Sequence, residues 1–99
     1  MAAYVIAQTF IPDAEKIKRY IELAPPTLVK YGGVYLARGG EMELLEGKWE
    51  VPRMVMAEFE SMDAIRRWYH SPEYTAARAH REGLADFILM ALEGVKEQP

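Results

Sequence analysis

Arg38, followed by Gly39-Gly40, is the residue of this 99-residue chain best suited to hold an anion. A guanidinium keeps its charge and presents a planar fork that matches a carboxylate or phosphate. The two glycines would let a ligand come close to backbone N–H groups. The competing reading is a surface ion pair with Glu41 or Glu43, beside a turn that simply needs glycine. Trp68, Tyr69 and Tyr74 could wall a cleft next to Arg38, and such a cleft would suit a small planar or acidic organic molecule. Aromatic residues at helical spacing equally suit a core. His70 and His80 are the two histidines, the side chains that titrate near neutrality. His80 and Asp86 form a candidate proton-transfer pair, or a surface ion pair at a helix-to-strand turn. Glu58, an ionisable group within an otherwise apolar stretch, either pairs locally or marks a site.

Other chemistries find no support in the residues. Cysteine is absent, which excludes a disulfide framework, a thiolate nucleophile and Cys-ligated zinc. The two histidines have no metal-binding spacing, and no His-x-x-x-His or Glu-x-x-His pair occurs, so neither a metal nor a cofactor is expected. Ser61 and Ser71 lack a Gly-x-Ser-x-Gly elbow, and the glycine pairs form no dinucleotide or phosphate-loop fingerprint. A formal charge of −3 argues against a general nucleic-acid binder. The apolar N-terminal stretch has no basic leading region, contains Gln8 and meets Pro12-Asp13 early, unlike a signal peptide. No apolar run approaches the ~20 residues that span a bilayer. The expectation is a cytoplasmic protein with no membrane partner.

The candidate residues must be positioned by strands and helices. Four stretches, residues 4–10, 34–38, 53–59 and 86–92, read as strands that are apolar on both faces. Asp13 is the expected cap of a first helix, which Pro25-Pro26 should bend into a second short piece over residues 26–31, closed by Gly32-Gly33. Residues 41–50 form an irregular or hairpin excursion punctuated by Gly39-Gly40 and Gly47. Ser61 should cap the next helix, Ser71-Pro72-Glu73 should restart it, and Gly83 should end it. One domain over residues 1–95 and a short polar tail over 96–99 account for the chain.

The order β-α-β-β-α-β is the ferredoxin-like split repeat, an α+β fold with a four-stranded antiparallel sheet in the order 4-1-3-2. Gln8, Arg38 and Asp86 then share one end of the sheet and Glu58 the other. Glu58 shares a face with Met54 and Met56, and Gln8 with Tyr4 and Ile6. Which of the two faces meets the helices is left open by alternation alone. Helices cover only one face, so the other is expected to meet a second copy of the chain and bury residues such as Tyr4, Ile6, Met54, Met56 and Ile88.

Several segments together resemble one known family. They are Ala24-Pro25-Pro26-Thr27, Lys30-Tyr31-Gly32-Gly33, Tyr35-Leu36-Ala37-Arg38-Gly39-Gly40, Leu45-Glu46-Gly47-Lys48-Trp49 and Trp68-Tyr69-His70-Ser71-Pro72-Glu73-Tyr74. The chain closely resembles domain-of-unknown-function family 1330, of the dimeric α+β barrel superfamily. The resemblance implies a ferredoxin-like protomer paired sheet to sheet, and implies no reaction. Three functions stay open: a homodimer binding a small acidic or phenolic molecule between sheet and helices, with cofactor-free proton or oxygen chemistry; a non-catalytic ligand-sensing or accessory module; and a purely structural dimer. An acid/base pair buried in a concave pocket would favour the first, a deep pocket without one the second, and a filled core the third.

Overall fold

The computed structural model describes residues 2–50 and 53–95. The elements are β1 (Ala3–Phe10), a 3-10 turn (Ala14–Ile17), α1 (Lys18–Lys30), β2 (Val34–Arg38), β3 (Met54–Phe59), α2 (Met62–Tyr69), α3 (Pro72–Ala79) and β4 (Asp86–Glu93). β1 pairs antiparallel with both β3 and β4, and β2 with β3, giving the order β2-β3-β1-β4. This is the expected order read from the other edge. The expected polar tail, residues 96–99, lies outside the described residues.

Period-two alternation along β1 separates the two faces. Ala3, Val5, Ala7 and Thr9 are buried, while Tyr4, Ile6 and Gln8 are half-buried and Phe10 is exposed. The register carries this division across the sheet: Val5 lies opposite Ala57 and Ala91, and Ile6 opposite Met56 and Met90. Val5, Ala57 and Phe59 pack with Ala24 and Leu28 of α1, Ile65 and Trp68 of α2, and Tyr74 and Ala77 of α3. Aromatic rings dominate this core, with centroids 5.5 Å apart for Phe59–Trp68 and 4.3 Å apart for Trp68–Tyr74. The described residues leave the other face uncovered. Phe10, Val34, Leu36, Ile88, Met90 and Leu92 are each more than half exposed, so a sheet apolar on both sides has only one side buried.

β2 departs from strict alternation. A register shift between Tyr35 and Ala37 bulges the strand at Leu36, so that Tyr35 lies opposite Ala57 and Arg38 opposite Val55. Tyr35 and Arg38 are three positions apart and would point to opposite faces in a regular strand; the extra residue brings both to the helix-covered face.

The helix boundaries follow the capping residues in most places. Asp13 Oδ1 accepts a hydrogen bond from the Glu15 N–H at 3.0 Å and opens the 3-10 turn. Ser61 Oγ accepts from the Ala64 N–H, and Ser71 Oγ from the Tyr74 N–H, both at 3.1 Å, so the restart at Ser71-Pro72 is as expected. Two expectations need correction. Pro25 and Pro26 do not divide the first helix, because α1 runs unbroken from Lys18 to Lys30. The two missing N–H groups would have served the carbonyls of Ile21 and Glu22, both at exposed positions where water can replace them, while Ala24, Thr27 and Leu28 anchor the helix on its buried side. Gly83 does not end the last helix; α3 stops at Ala79 with His80 as its cap, and Gly83, at φ 74°, belongs to the following turn.

Candidate functional site

A cavity of about 600 Å³ lies between α1 and the sheet. Its body is apolar, with Ile21 and Leu28 of α1 facing Val5, Ala7, Val55 and Leu89 of the sheet. Its charged and phenolic groups lie toward its two ends.

Arg38 and Arg53 line one end. Arg38 is exposed, and its guanidinium stands 4.4 Å from the centre of the Tyr35 ring in a cation–π contact. Neither arginine takes part in an ion pair among the described residues, where the pairs are Arg19–Glu22, Lys30–Glu73 and Arg66–Asp63. The alternative partners of Arg38, Glu41 and Glu43, are therefore not engaged with it. Burial raises the phenol pKa of Tyr35, and the nearby guanidinium groups of Arg38 and Arg53 oppose that rise. Gly39, at φ 68°, leaves room for Arg53 rather than for a ligand. A Cβ at Gly39 would sit 2.9 Å from Arg53 Nε.

Tyr20, Tyr74 and Phe87 line the other end, and Thr9, which lies opposite Phe87 and whose N–H donates to the Arg53 carbonyl at 2.9 Å, stands between the two ends. The Tyr20 and Tyr74 hydroxyls are 2.9 Å apart, and Arg81 Nη2 donates to the Tyr74 hydroxyl at 3.4 Å. The Arg81 guanidinium lies 4.0 Å from the Phe87 ring centre and 5.2 Å from that of Tyr20. Burial, followed by the Tyr74 hydroxyl, pushes the Tyr20 phenol far above its ordinary range, so it stays neutral. Trp68 is fixed in the wall by a 3.1 Å hydrogen bond from its Nε1 to Thr27 Oγ1, which in turn donates to the Ala24 carbonyl at 2.7 Å. Among the described residues the lining includes no carboxylate and no imidazole.

Of the residues singled out in the sequence, the structure gathers Arg38, Trp68 and Tyr74 around this one cavity. Tyr69 faces a separate groove of about 790 Å³ between α2, α3 and β4, under Arg78, whose Nη1 donates to the Tyr69 hydroxyl. Glu58 lies opposite Tyr4 and Val34, and Asp86 opposite Phe10, which places both on the open face of the sheet. His80 is exposed at the end of α3 and makes no hydrogen bond with Asp86 among the described residues. The structure therefore does not bring Glu58, His80 and Asp86 together, nor any of them to the cavity. Among the described residues no group of three or more His, Asp or Glu could hold a metal ion, and no helix is long and apolar enough to cross a membrane.

Sequence reasoning passed over Arg53, Tyr20, Tyr35 and Thr9 as site residues. Arg53 shares its parity with Val55, Ala57 and Phe59, and Thr9 shares its own with Val5 and Ala7, so alternation carried a signal for both. Tyr35 joins the site only through the bulge.

The fold is ferredoxin-like: a four-stranded antiparallel sheet with its helices on one face. The chain belongs to the family described as "Domain of unknown function (DUF1330)", whose profile matches residues 2–95. No curated protein matches it. Among solved structures it is similar to the RPA0582 protein of unknown function from Rhodopseudomonas palustris, with TM-score 0.71 and 22% identity over 97% of this chain and 84% of that one. It is also similar to a dimeric ferredoxin-like protein of unknown function from a Jannaschia species, with TM-score 0.67 and 13% identity over 95% and 100%. A third neighbour is SnoaB, a cofactor-independent oxygenase from Streptomyces nogalater, with TM-score 0.66 and 11% identity over 99% and 97%. At these identities the likenesses establish the fold alone.

Proposed function

We propose that this protein is a homodimer, joined through the open faces of its sheets, that binds a small acidic or phenolic organic molecule in the cavity between α1 and the sheet. The observation that carries the binding reading is an apolar cavity of about 600 Å³ rimmed by Arg38 and Arg53, two cations with no carboxylate partner among the described residues. A concave, mostly apolar site with a few convergent polar groups is the usual form of a small-molecule site. Among the described residues the lining has neither carboxylate nor imidazole, so the geometry supports binding ahead of proton-transfer chemistry on the bound molecule.

Support for the dimer comes from the apolar open face, which a second copy would remove from water. The Jannaschia neighbour is described as dimeric. An interface of this kind should exceed ~1,000 Å². Two experiments test the two halves of the proposal. In a thermal-shift titration, benzoate should raise the melting temperature because it binds the folded form, and no small carboxylic acid or phenol doing so would overturn the binding reading. Sedimentation should show a dimer at micromolar concentration, and a stable folded monomer would overturn the interface.

A further inference from the structure

The cavity has a second polar end whose hydrogen-bond count does not close. Tyr20 and Tyr74 carry two phenolic protons and share one hydrogen bond between them. If Tyr74 donates to Tyr20, the Tyr20 proton has no acceptor among the described residues. If Tyr20 donates to Tyr74, whose oxygen already accepts from Arg81, the Tyr74 proton has none. One donor is left over either way. Thr9 adds another: it is 2% exposed, and its buried Oγ1 has no partner among the described residues. Arg81 Nε is likewise buried without a partner among them, close to both rings. These groups are neighbours, since Thr9 lies opposite Phe87 on the sheet and the Phe87 ring centre is 5.3 Å from that of Tyr20. Unmet polar groups in a dry place are costly unless something fills their need, and here the need is for an acceptor.

Both ends of the cavity therefore offer donors, with Thr9 and apolar wall between them. The ends differ in charge. Arg38 and Arg53 are fixed cations at a rim that water reaches, which suits a carboxylate. At the inner end Tyr20 is held neutral by burial, and a second full negative charge would be poorly solvated there, so an uncharged acceptor fits better. From Arg53, just before β3, across Thr9 of β1 to Phe87 of β4, on which Tyr20 packs, is two strand spacings, roughly 10 Å between backbones. Side chains leaning inward shorten that to the length of a substituted ring.

We propose that the ligand is an elongated organic acid with two acceptor ends: a carboxylate held by Arg38 and Arg53, and an uncharged carbonyl oxygen received by Tyr20, Tyr74 and Thr9. This rests on the acid-binding reading above and narrows it to a carbonyl-bearing acid, with Arg53 as the second arm of the anion clamp.

Isothermal titration of the full chain with 4-acetylbenzoate and with 4-isopropenylbenzoate tests it. The two acids share shape and charge and differ by one carbonyl oxygen against a methylene. The wild type should bind 4-acetylbenzoate about tenfold more tightly, a difference that the Tyr20→Phe/Tyr74→Phe double variant should reduce to less than threefold. Both rings remain in that variant, so the walls are kept. Thr9→Val should reduce the preference in part, and Arg53→Met should weaken both acids alike. Equal affinities in the wild type would overturn the inference while leaving acid binding intact, and so would a preference that persists in the double variant. Failure of both acids to bind would overturn the acid-binding reading and this inference with it.

Discussion

Removing the hydroxyl of Ser71 should destabilise the protein about twice as much as removing that of Ser61, although both serines open a helix. Ser61 is half-buried, and its Oγ makes one hydrogen bond, from the Ala64 N–H at 3.1 Å. Loss of such a cap costs about 1 kcal/mol, because water can reach the freed N–H. Ser71 is 4% exposed, accepts from the Tyr74 N–H at 3.1 Å and donates to the Trp68 carbonyl at 2.7 Å. In Ser71→Ala the Trp68 carbonyl keeps the Ser71 backbone N–H at 3.1 Å, but the Tyr74 N–H, beside a fully buried side chain, has no acceptor. Stranding a buried donor adds about 1 kcal/mol or more to the cap loss, giving about 2 kcal/mol in total. Urea denaturation of Ser61→Ala, Ser71→Ala and the parent at one fixed protein concentration measures the difference, the concentration being fixed because a dimer's stability depends on it. Equal midpoint shifts at unchanged slope would refute the burial reasoning, and no shift for Ser71→Ala would refute the cap itself.

Three further outcomes are expected. Lys30 chiefly, then a backbone hydrogen bond and the Tyr31 hydroxyl, hold the Glu73 carboxyl at about 2, below its ordinary value of 4.5, so the α1–α3 bridge contributes stability above that ordinary value and loses it as pH falls toward 2. Glu73→Gln should flatten the loss of stability between about pH 4 and pH 2, and an unchanged acid limb in thermal melts would contradict this. Met90→Asp places a charge on the open face, twice across a two-fold interface, and should yield a folded monomer in sedimentation; a persistent dimer would show that the face is not the interface. Arg38→Lys keeps the charge but loses the fork, so benzoate should bind several-fold more weakly and Arg38→Ala more weakly still, whereas unchanged affinity in titration would remove Arg38 from the site.

The strand order was legible from the β-α-β-β-α-β succession of elements, the helix restart at Ser71-Pro72 from its capping residues, and the uncovered apolar face from strands that carry few polar residues on either side. Alternation also paired Glu58 with Met54 and Met56 correctly. It could not say which face the helices cover, and that choice removes Glu58 and Asp86 from the cavity. Pro25-Pro26 misled because the cost of proline in a helix depends on whether the orphaned carbonyls can reach water, which is a property of the packed structure. The bulge at Leu36 left no mark in residue type, so Tyr35 could not be placed beside Arg38. Tyr20 read as one more apolar contact of a helix; its role depends on a hydroxyl pair with Tyr74, a residue 54 positions away.

The proposed function requires that the space between α1 and the sheet receive an organic acid. A crystal structure of the protein soaked in 4-acetylbenzoate tests it most directly. Density for the ligand is expected in that cavity, with its carboxylate within hydrogen-bond distance of Arg38 and Arg53 and its acetyl oxygen toward Tyr20 and Tyr74. An unoccupied cavity, or a ligand bound only on the open face of the sheet, would contradict it.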